Sequence, residues 1–167
     1  LAKNKIDMLA SIPAILPVSL KDKNTHQVTS SFGYRMHPIY KTPKFHAGMD
    51  STGTIGTPIY ATGNGVVIES KFDKGYGRHV VIDHGFSYKT LYAHMDKILA
   101  KKGQKIKRGD VIGYLGNTGL STGPHLHYEV RKNDKPIDPI NFYFNDLTPD
   151  EFELLVETAN NTGQSMD

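Results

Sequence analysis

Two histidines stand two residues apart in Pro124-His125-Leu126-His127-Tyr128-Glu129, inside a run that alternates polar and apolar residues. Successive side chains of a β-strand point to opposite faces, so residues i and i+2 share one. His125 and His127 would therefore stand side by side, about 7 Å apart at the backbone, with Leu126 and Tyr128 turned the other way. That geometry suits one bound metal ion. Glu129 has the parity of the two histidines, which leaves it either to fix an imidazole tautomer or to face solvent.

Far upstream, Phe45-His46-Ala47-Gly48-Met49-Asp50 sets an imidazole and a carboxylate four positions apart. On a helix they would meet on one face, but the flanking Pro43 and Ser51-Thr52-Gly53-Thr54 are poor helix formers. We read a strand-to-loop segment bent at Gly48, which lets His46 and Asp50 converge. Alone, the pair would pass for a surface contact in a loop; beside the His-x-His run it reads as a ligand pair.

The elements that must position these groups are mostly strands. Short candidates run Val28 to Tyr34, Phe45 to Asp50, Pro58 to Ala61, Gly65 to Phe72, His79 to His84, Ser87 to His94, Val111 to Leu115 and His125 to Lys132. Glycine and asparagine turns separate them. Their spacing predicts a mostly β fold, an antiparallel sheet or sandwich rather than βαβ units. One short internal helix is expected around Met95 to Ala100. Asp73-Lys74-Gly75-Tyr76-Gly77 and Asp83-His84-Gly85-Phe86 read as hairpin loops.

At the ends, residues 1–23 read as a helix end stopped by Pro13 and Pro17, followed by an apolar connector laid on the domain. The domain itself is placed at 24–145. Thr148-Pro149-Asp150-Glu151 is a capping box with proline at the first helical position. It predicts a C-terminal helix within 146–167 that ends in a mobile tail.

With 167 residues the chain can bury one good core. A formal net charge of +3, with lysines scattered along the chain, describes an ordinary solvated surface and gives no reason to expect nucleic acid as a partner. The absence of cysteine excludes disulfides and thiolate metal sites, so any metal here takes nitrogen and oxygen ligands. No run of eighteen apolar residues occurs to span a bilayer.

From about Thr29 to Asn141 the chain resembles the lysostaphin-type, LytM-like zinc endopeptidases that cut peptide bonds in bacterial peptidoglycan. The resemblance is carried by Ser31-Phe32-Gly33-Tyr34-Arg35 with His37-Pro38, by His46 to Asp50, and by Thr57-Pro58 and Gly63-Asn64-Gly65-Val66-Val67. It continues through Tyr92-Ala93-His94-Met95 and Gly116-Asn117-Thr118-Gly119 to Gly123-Pro124-His125-Leu126-His127. It implies a mostly antiparallel sheet with a groove lined by loops. It further implies that His46, Asp50 and His127 bind one zinc ion per chain, while His94 and His125 stand beside the metal without ligating it.

That division is chemically sensible, since three protein ligands leave a fourth position for water or substrate. Zinc in such a site would bring the pKa of water from 15.7 toward roughly 7 and polarise the scissile carbonyl. The expected roles are then general acid–base catalysis by His125 and a hydrogen bond from His94 to the oxyanion. Arg35, His37 and Asn117 are candidates to touch substrate, Arg35 by bidentate hydrogen bonds to a carboxylate unless Asp83 or Asp110 takes it in a structural pair. His26, His79 and His84 are expected to be structural or solvent-facing.

The resemblance implies peptidoglycan stems or bridges as the partner and a periplasmic or cell-surface location. A membrane anchor preceding Leu1 would suit the helical start of the chain. Two other readings compete. A non-catalytic relative that binds peptidoglycan or activates another hydrolase would share the fold, but such relatives usually lose ligands, and all five site residues are present here. The stretch GQKIKRGDVIGYLGNTG also looks like the hinge of a biotinyl or lipoyl carrier, yet none of its lysines sits between the small or sulfur-bearing neighbours a carrier uses.

Overall fold

A computed structural model of the chain describes residues 8–19, 27–30, 32–36, 43–140 and 142, with the backbone alone at 27–30, 34–36, 43 and 44. Twelve strands occur among the described residues. The first five are short: β1 (Gln27–Ser30), β2 (Gly33–Met36), β3 (Pro43–His46), β4 (Met49–Thr52) and β5 (Pro58–Tyr60). Three long ones follow, β6 (Gly65–Asp73), β7 (Gly77–Gly85) and β8 (Tyr88–Ile98). The chain then adds β9 (Lys105–Ile106), β10 (Val111–Leu115), β11 (His125–Lys132) and β12 (Lys135–Ile137).

The strands pair antiparallel in the order β1-β4-β11-β8-β7-β6-β9, with β12 on β11 and with β10 joined to both β5 and β8. This is one open, folded sheet rather than two stacked ones. A separate ribbon is formed by β2 and β3.

Period-two alternation explains the two faces of the sheet. Val80, Ile82, Tyr92, Leu126, Tyr128 and Val130 turn to one face and, with Ile59, Ile112 and Leu115, make the main core. Full burial of each such aliphatic side chain is worth about 1.5–3 kcal/mol. The other face carries a small apolar cluster of Val81, Leu91 and Ala93 and, on β11, the buried His125, His127 and Glu129.

Two polar devices tie this core together. Tyr128 Oη bonds Thr62 Oγ1 at 2.7 Å, Thr62 Oγ1 bonds Tyr92 Oη at 3.0 Å, and Tyr92 Oη bonds Thr90 Oγ1 at 2.8 Å. Thr90 Oγ1 continues to His84 Nε2 at 2.6 Å, and His84 Nδ1 donates to the Asn64 carbonyl at 2.8 Å. A chain of this kind satisfies every buried hydroxyl it contains and fixes Tyr128, the residue between His127 and Glu129.

The second device is Arg108. It donates to the carbonyls of Thr62, Leu9 and Ile12, clamping the N-terminal segment to the sheet. Leu16 and Val18 of that segment lie in the main core.

The helix expected over Met95 to Ala100 is not formed. Those residues continue β8 to Ile98, and Leu99 and Ala100 then donate their N–H groups to the Ile112 carbonyl. Met95, Ile98 and Leu99 imitate helical spacing because β8 meets β10 there with an irregular register, Leu115 opposite Met95 and Gly113 opposite Ile98. Leu99 is left 41% exposed, which no core-facing helix residue would be. The stretches Val28 to Tyr34 and Phe45 to Asp50 are each divided into two strands. The expected C-terminal helix, His26 and His37 lie outside the described residues.

Candidate metal centre

Asp50 on β4 stands directly opposite His127 on β11 in the antiparallel register. Directly opposed residues share a face, so one cross-strand pair brings a carboxylate to an imidazole. His46 ends β3, and a tight passage through Ala47 and Gly48 then leads the chain into β4. A Cβ at Gly48 would collide with the Tyr128 carbonyl oxygen and lie 2.9 Å from Glu129 Cγ. The bend therefore requires glycine because the chain crosses β11 at close range.

His46 Nε2 lies 3.2 Å and His127 Nδ1 2.9 Å from Asp50 Oδ1. Donor atoms of His46, Asp50 and His127 all fall within 4.8 Å of one another, and all three residues are buried. Asp50 is fully buried, and a buried carboxylate requires paired charge or a metal.

His127 has a carboxylate against each ring nitrogen, Asp50 at Nδ1 and Glu129 at Nε2. A neutral ring that donates Nε2–H to Glu129 Oε2, 2.8 Å away, turns the lone pair of Nδ1 toward Asp50 Oδ1. Two acceptors 2.9 Å apart, with a third nitrogen at 3.2 Å, require positive charge among them. The three residues thus fit a divalent cation, and three ligands leave it an open position.

Burial works to raise the Glu129 pKa. Hydrogen bonding and charge from His127, the Arg131 guanidinium and the Tyr76 hydroxyl outweigh it and hold the carboxyl below its usual range. Burial and the neighbouring Glu129 carboxylate push the Tyr76 phenol up, so it remains a donor. Of the two fates open to Glu129, the structure selects contact with an imidazole.

His125 and His94 lie beside this cluster. His125 Nδ1 is 2.8 Å from the Gly123 carbonyl and 3.0 Å from Ser121 Oγ, and its Nε2 is 3.9 Å from Asp50 Oδ1. The His94 ring centroid is 4.7 Å from that of His125 and 6.2 Å from that of His127. Strand alternation alone would send His94 to the core face with Tyr92. Its φ of 61° and a register shift between Arg78 and Val80 on β7 turn it to the other face, as β-bulges near functional sites do.

Asn117 is exposed on the loop after β10, and that loop is docked on the β6–β7 hairpin. Arg78 N–H donates to Thr118 Oγ1 at 3.1 Å, and Thr118 Oγ1 donates to the Met95 carbonyl at 2.6 Å. Arg35 lies on β2 with only its backbone described. Its two suggested acids have other duties, since Asp83 accepts from Gly85 N–H and Asp110 from Lys107 N–H. His79 is buried against Glu69 and the Gly77 carbonyl. Tyr76, Thr118 and Ser121 escaped sequence reasoning; the glycines at 77 and 119, which pack against Thr118 and each other, were the available signal that two loops touch.

The sequence profile of Peptidase family M23 matches residues 44–139. The peptidoglycan DD-endopeptidase ShyA of Vibrio cholerae is 47% identical over 113 residues, which is 67% of this chain and 26% of ShyA. The DD-carboxypeptidase/endopeptidase Mpg of Neisseria meningitidis serogroup B is 45% identical over 114 residues, 68% of this chain and 26% of Mpg. The chain thus spans about a quarter of the length of these curated relatives.

A zinc containing peptidase from Vibrio cholerae has a TM-score of 0.67 at 46% identity, covering 74% of this chain and 37% of that one. The catalytic domain of the prophage-encoded M23 protein EnpA from Enterococcus faecalis has a TM-score of 0.64 at 36% identity, covering 75% and 95%. The matched profile encloses the His46, Asp50 and His127 cluster and more than half of the sequence, and the chain belongs to Peptidase family M23.

Proposed function

We infer that this chain is the catalytic domain of a zinc metalloendopeptidase that hydrolyses D,D-cross-links of bacterial peptidoglycan outside the cytoplasmic membrane. The observation that carries this reading is the convergence of His46, Asp50 and His127 on one point, with two further imidazoles on the same wall. The D,D bond is favoured over a glycine bridge by the relatives named DD-endopeptidases at 47% identity. No helix among the described residues is long and apolar enough to cross a membrane.

Zinc suits the buried nitrogen, nitrogen and oxygen donor set of His46, His127 and Asp50, and when bound it would supply Lewis-acid polarisation and an acidified water. His125 is the general base. Its Nδ1–H faces the Gly123 carbonyl, which only accepts, so Nε2 keeps a lone pair on the side of Asp50. It takes a proton from the attacking water at Nε2 and delivers it to the departing amine.

His94 likewise faces a carbonyl through Nδ1, that of Thr118 at 2.7 Å. It donates to the oxyanion through Nε2 only as the doubly protonated ring. Asn117, Arg35 and His37 remain assigned to substrate contacts. Metal analysis followed by digestion of purified sacculi tests the reading. Bound zinc with cross-linked muropeptides resolved into monomers supports it. Binding to sacculi without products supports a binding or activating module instead.

A further inference from the structure

The tip of the β6–β7 hairpin reaches both halves of the site through one side chain. Tyr76 Oη donates to Glu129 Oε2 at 2.8 Å, across 53 residues of sequence. Its ring stacks on His127, with centroids 6.0 Å apart and planes 23° from parallel. Its carbonyl accepts the N–H of His94 at 2.7 Å, at the residue whose left-handed φ turns it to the site face. The tip is itself anchored, since Asp73 Oδ1 accepts Tyr76 N–H at 2.7 Å and Leu120 N–H donates to the Gly75 carbonyl at 3.0 Å.

Glu129 divides its two oxygens between partners. Oε1 accepts from Arg131 Nε at 3.0 Å and from an Arg131 terminal nitrogen at 2.9 Å. Oε2 accepts from His127 Nε2 and Tyr76 Oη, both at 2.8 Å. Arg131 thus prevents the carboxylate from swinging, and its terminal nitrogen also lies 3.4 Å from Tyr76 Oη, so guanidinium and phenol brace the carboxylate together. The imidazole stacked on Tyr76 keeps Nε2–H on Glu129 and Nδ1 toward Asp50.

We propose that Tyr76 is a positioning residue for His127, setting the affinity of the cluster for a divalent cation through Glu129 while its carbonyl holds His94 in place. The assignment rests on His46, Asp50 and His127 being cation ligands. Outer partners of ligating histidines commonly tune affinity by about 10–100-fold. Tyr76→Phe is the informative change because it keeps the stacked ring and the carbonyl and deletes only the hydroxyl.

The test titrates the metal-free full chain with Zn2+ against a chromophoric chelator, for the parent, Tyr76→Phe and Glu129→Gln. It also compares thermal unfolding of the metal-free proteins and the visible spectra of the Co2+ forms. Tyr76→Phe is expected to bind Zn2+ about tenfold more weakly, with an altered Co2+ spectrum and the metal-free melting temperature of the parent. Glu129→Gln should weaken binding further. Parent affinity in Tyr76→Phe overturns the proposal, and so does a matching loss of metal-free stability, which would mark the hydroxyl as structural. A parent chain that binds no Zn2+ removes the ligand reading beneath it, an outcome seen without any variant.

Discussion

His94 Nδ1 lies 2.7 Å from the carbonyl oxygen of Thr118, although the two residues belong to different elements. The contact exists because His94 leaves the alternation of β8 through a φ of 61°. Such a conformation costs a non-glycine residue on the order of 1–3 kcal/mol and persists where its surroundings enforce it. Here they are the Tyr76 carbonyl on the His94 N–H and the Thr118 carbonyl on the ring.

Thr118→Ala should loosen this arrangement, because it removes the hydroxyl that joins Arg78 N–H to the Met95 carbonyl. We expect a loss of about 1–2 kcal/mol in stability and a fall of roughly tenfold in turnover, with KM changed less, as when an interaction made only in the transition state is lost. Urea unfolding and the kinetics of muropeptide release measure the two. Parent turnover in the variant would contradict the placement of His94 by this loop.

His125→Ala and His94→Ala should both retain metal and lose activity, each by about 100- to 1000-fold or somewhat more. Zinc content alongside muropeptide release separates lost chemistry from lost metal. Either variant cleaving near the parent rate would withdraw that residue's role.

His84 predicts a pH dependence of stability. Burial pushes its pKa down from 6.5 to about 4, although its hydrogen bond to the Asn64 carbonyl opposes the shift. The unfolded chain gains a proton near pH 6.5 that the folded chain refuses until about pH 4. This residue's full stability is therefore present above pH 6.5 and declines as pH falls, by about 3 kcal/mol in total. Urea unfolding at pH 7 and pH 4.5 should show a smaller difference for His84→Gln than for the parent. Identical differences would contradict the assignment.

Gly48→Ala places a methyl group against the Tyr128 carbonyl and Glu129 Cγ. Overpacking of this kind costs about 1–3 kcal/mol. Because the displaced backbone carries the flanking residue His127, metal affinity should fall with stability. Denaturation and metal titration on one preparation check both, and a variant with unchanged metal affinity would show that the β3–β4 passage does not set the ligand geometry.

The shared face of the histidine strand and the bend before Asp50 were legible from short-range periodicity, whereas the proposed ligand set came from the family resemblance. His125, His127 and Glu129 share a face by strand parity, and glycine between His46 and Asp50 signals a bend. Absence of cysteine restricted the donors to nitrogen and oxygen. The turn of His94 to the site face depends on a β7–β8 register shift that strand alternation does not announce, so His94 entered through the resemblance carried by Tyr92-Ala93-His94-Met95. A separate irregular pairing, of β8 with β10, lies where Met95 to Ala100 had suggested a helix. Tyr76 was hidden for another reason. Its partner is 53 residues away, and a hairpin loop rich in glycine gives no hint of the strand against which its single aromatic ring rests.

Calorimetric titration of the metal-free chain with Zn2+, run in parallel for Asp50→Ala, tests whether His46, Asp50 and His127 hold the ion. A single ion per chain for the parent, and none held by the variant, is the predicted result. Binding by Asp50→Ala with the stoichiometry and affinity of the parent would contradict it, because the ion would then lie elsewhere than between His46, Asp50 and His127.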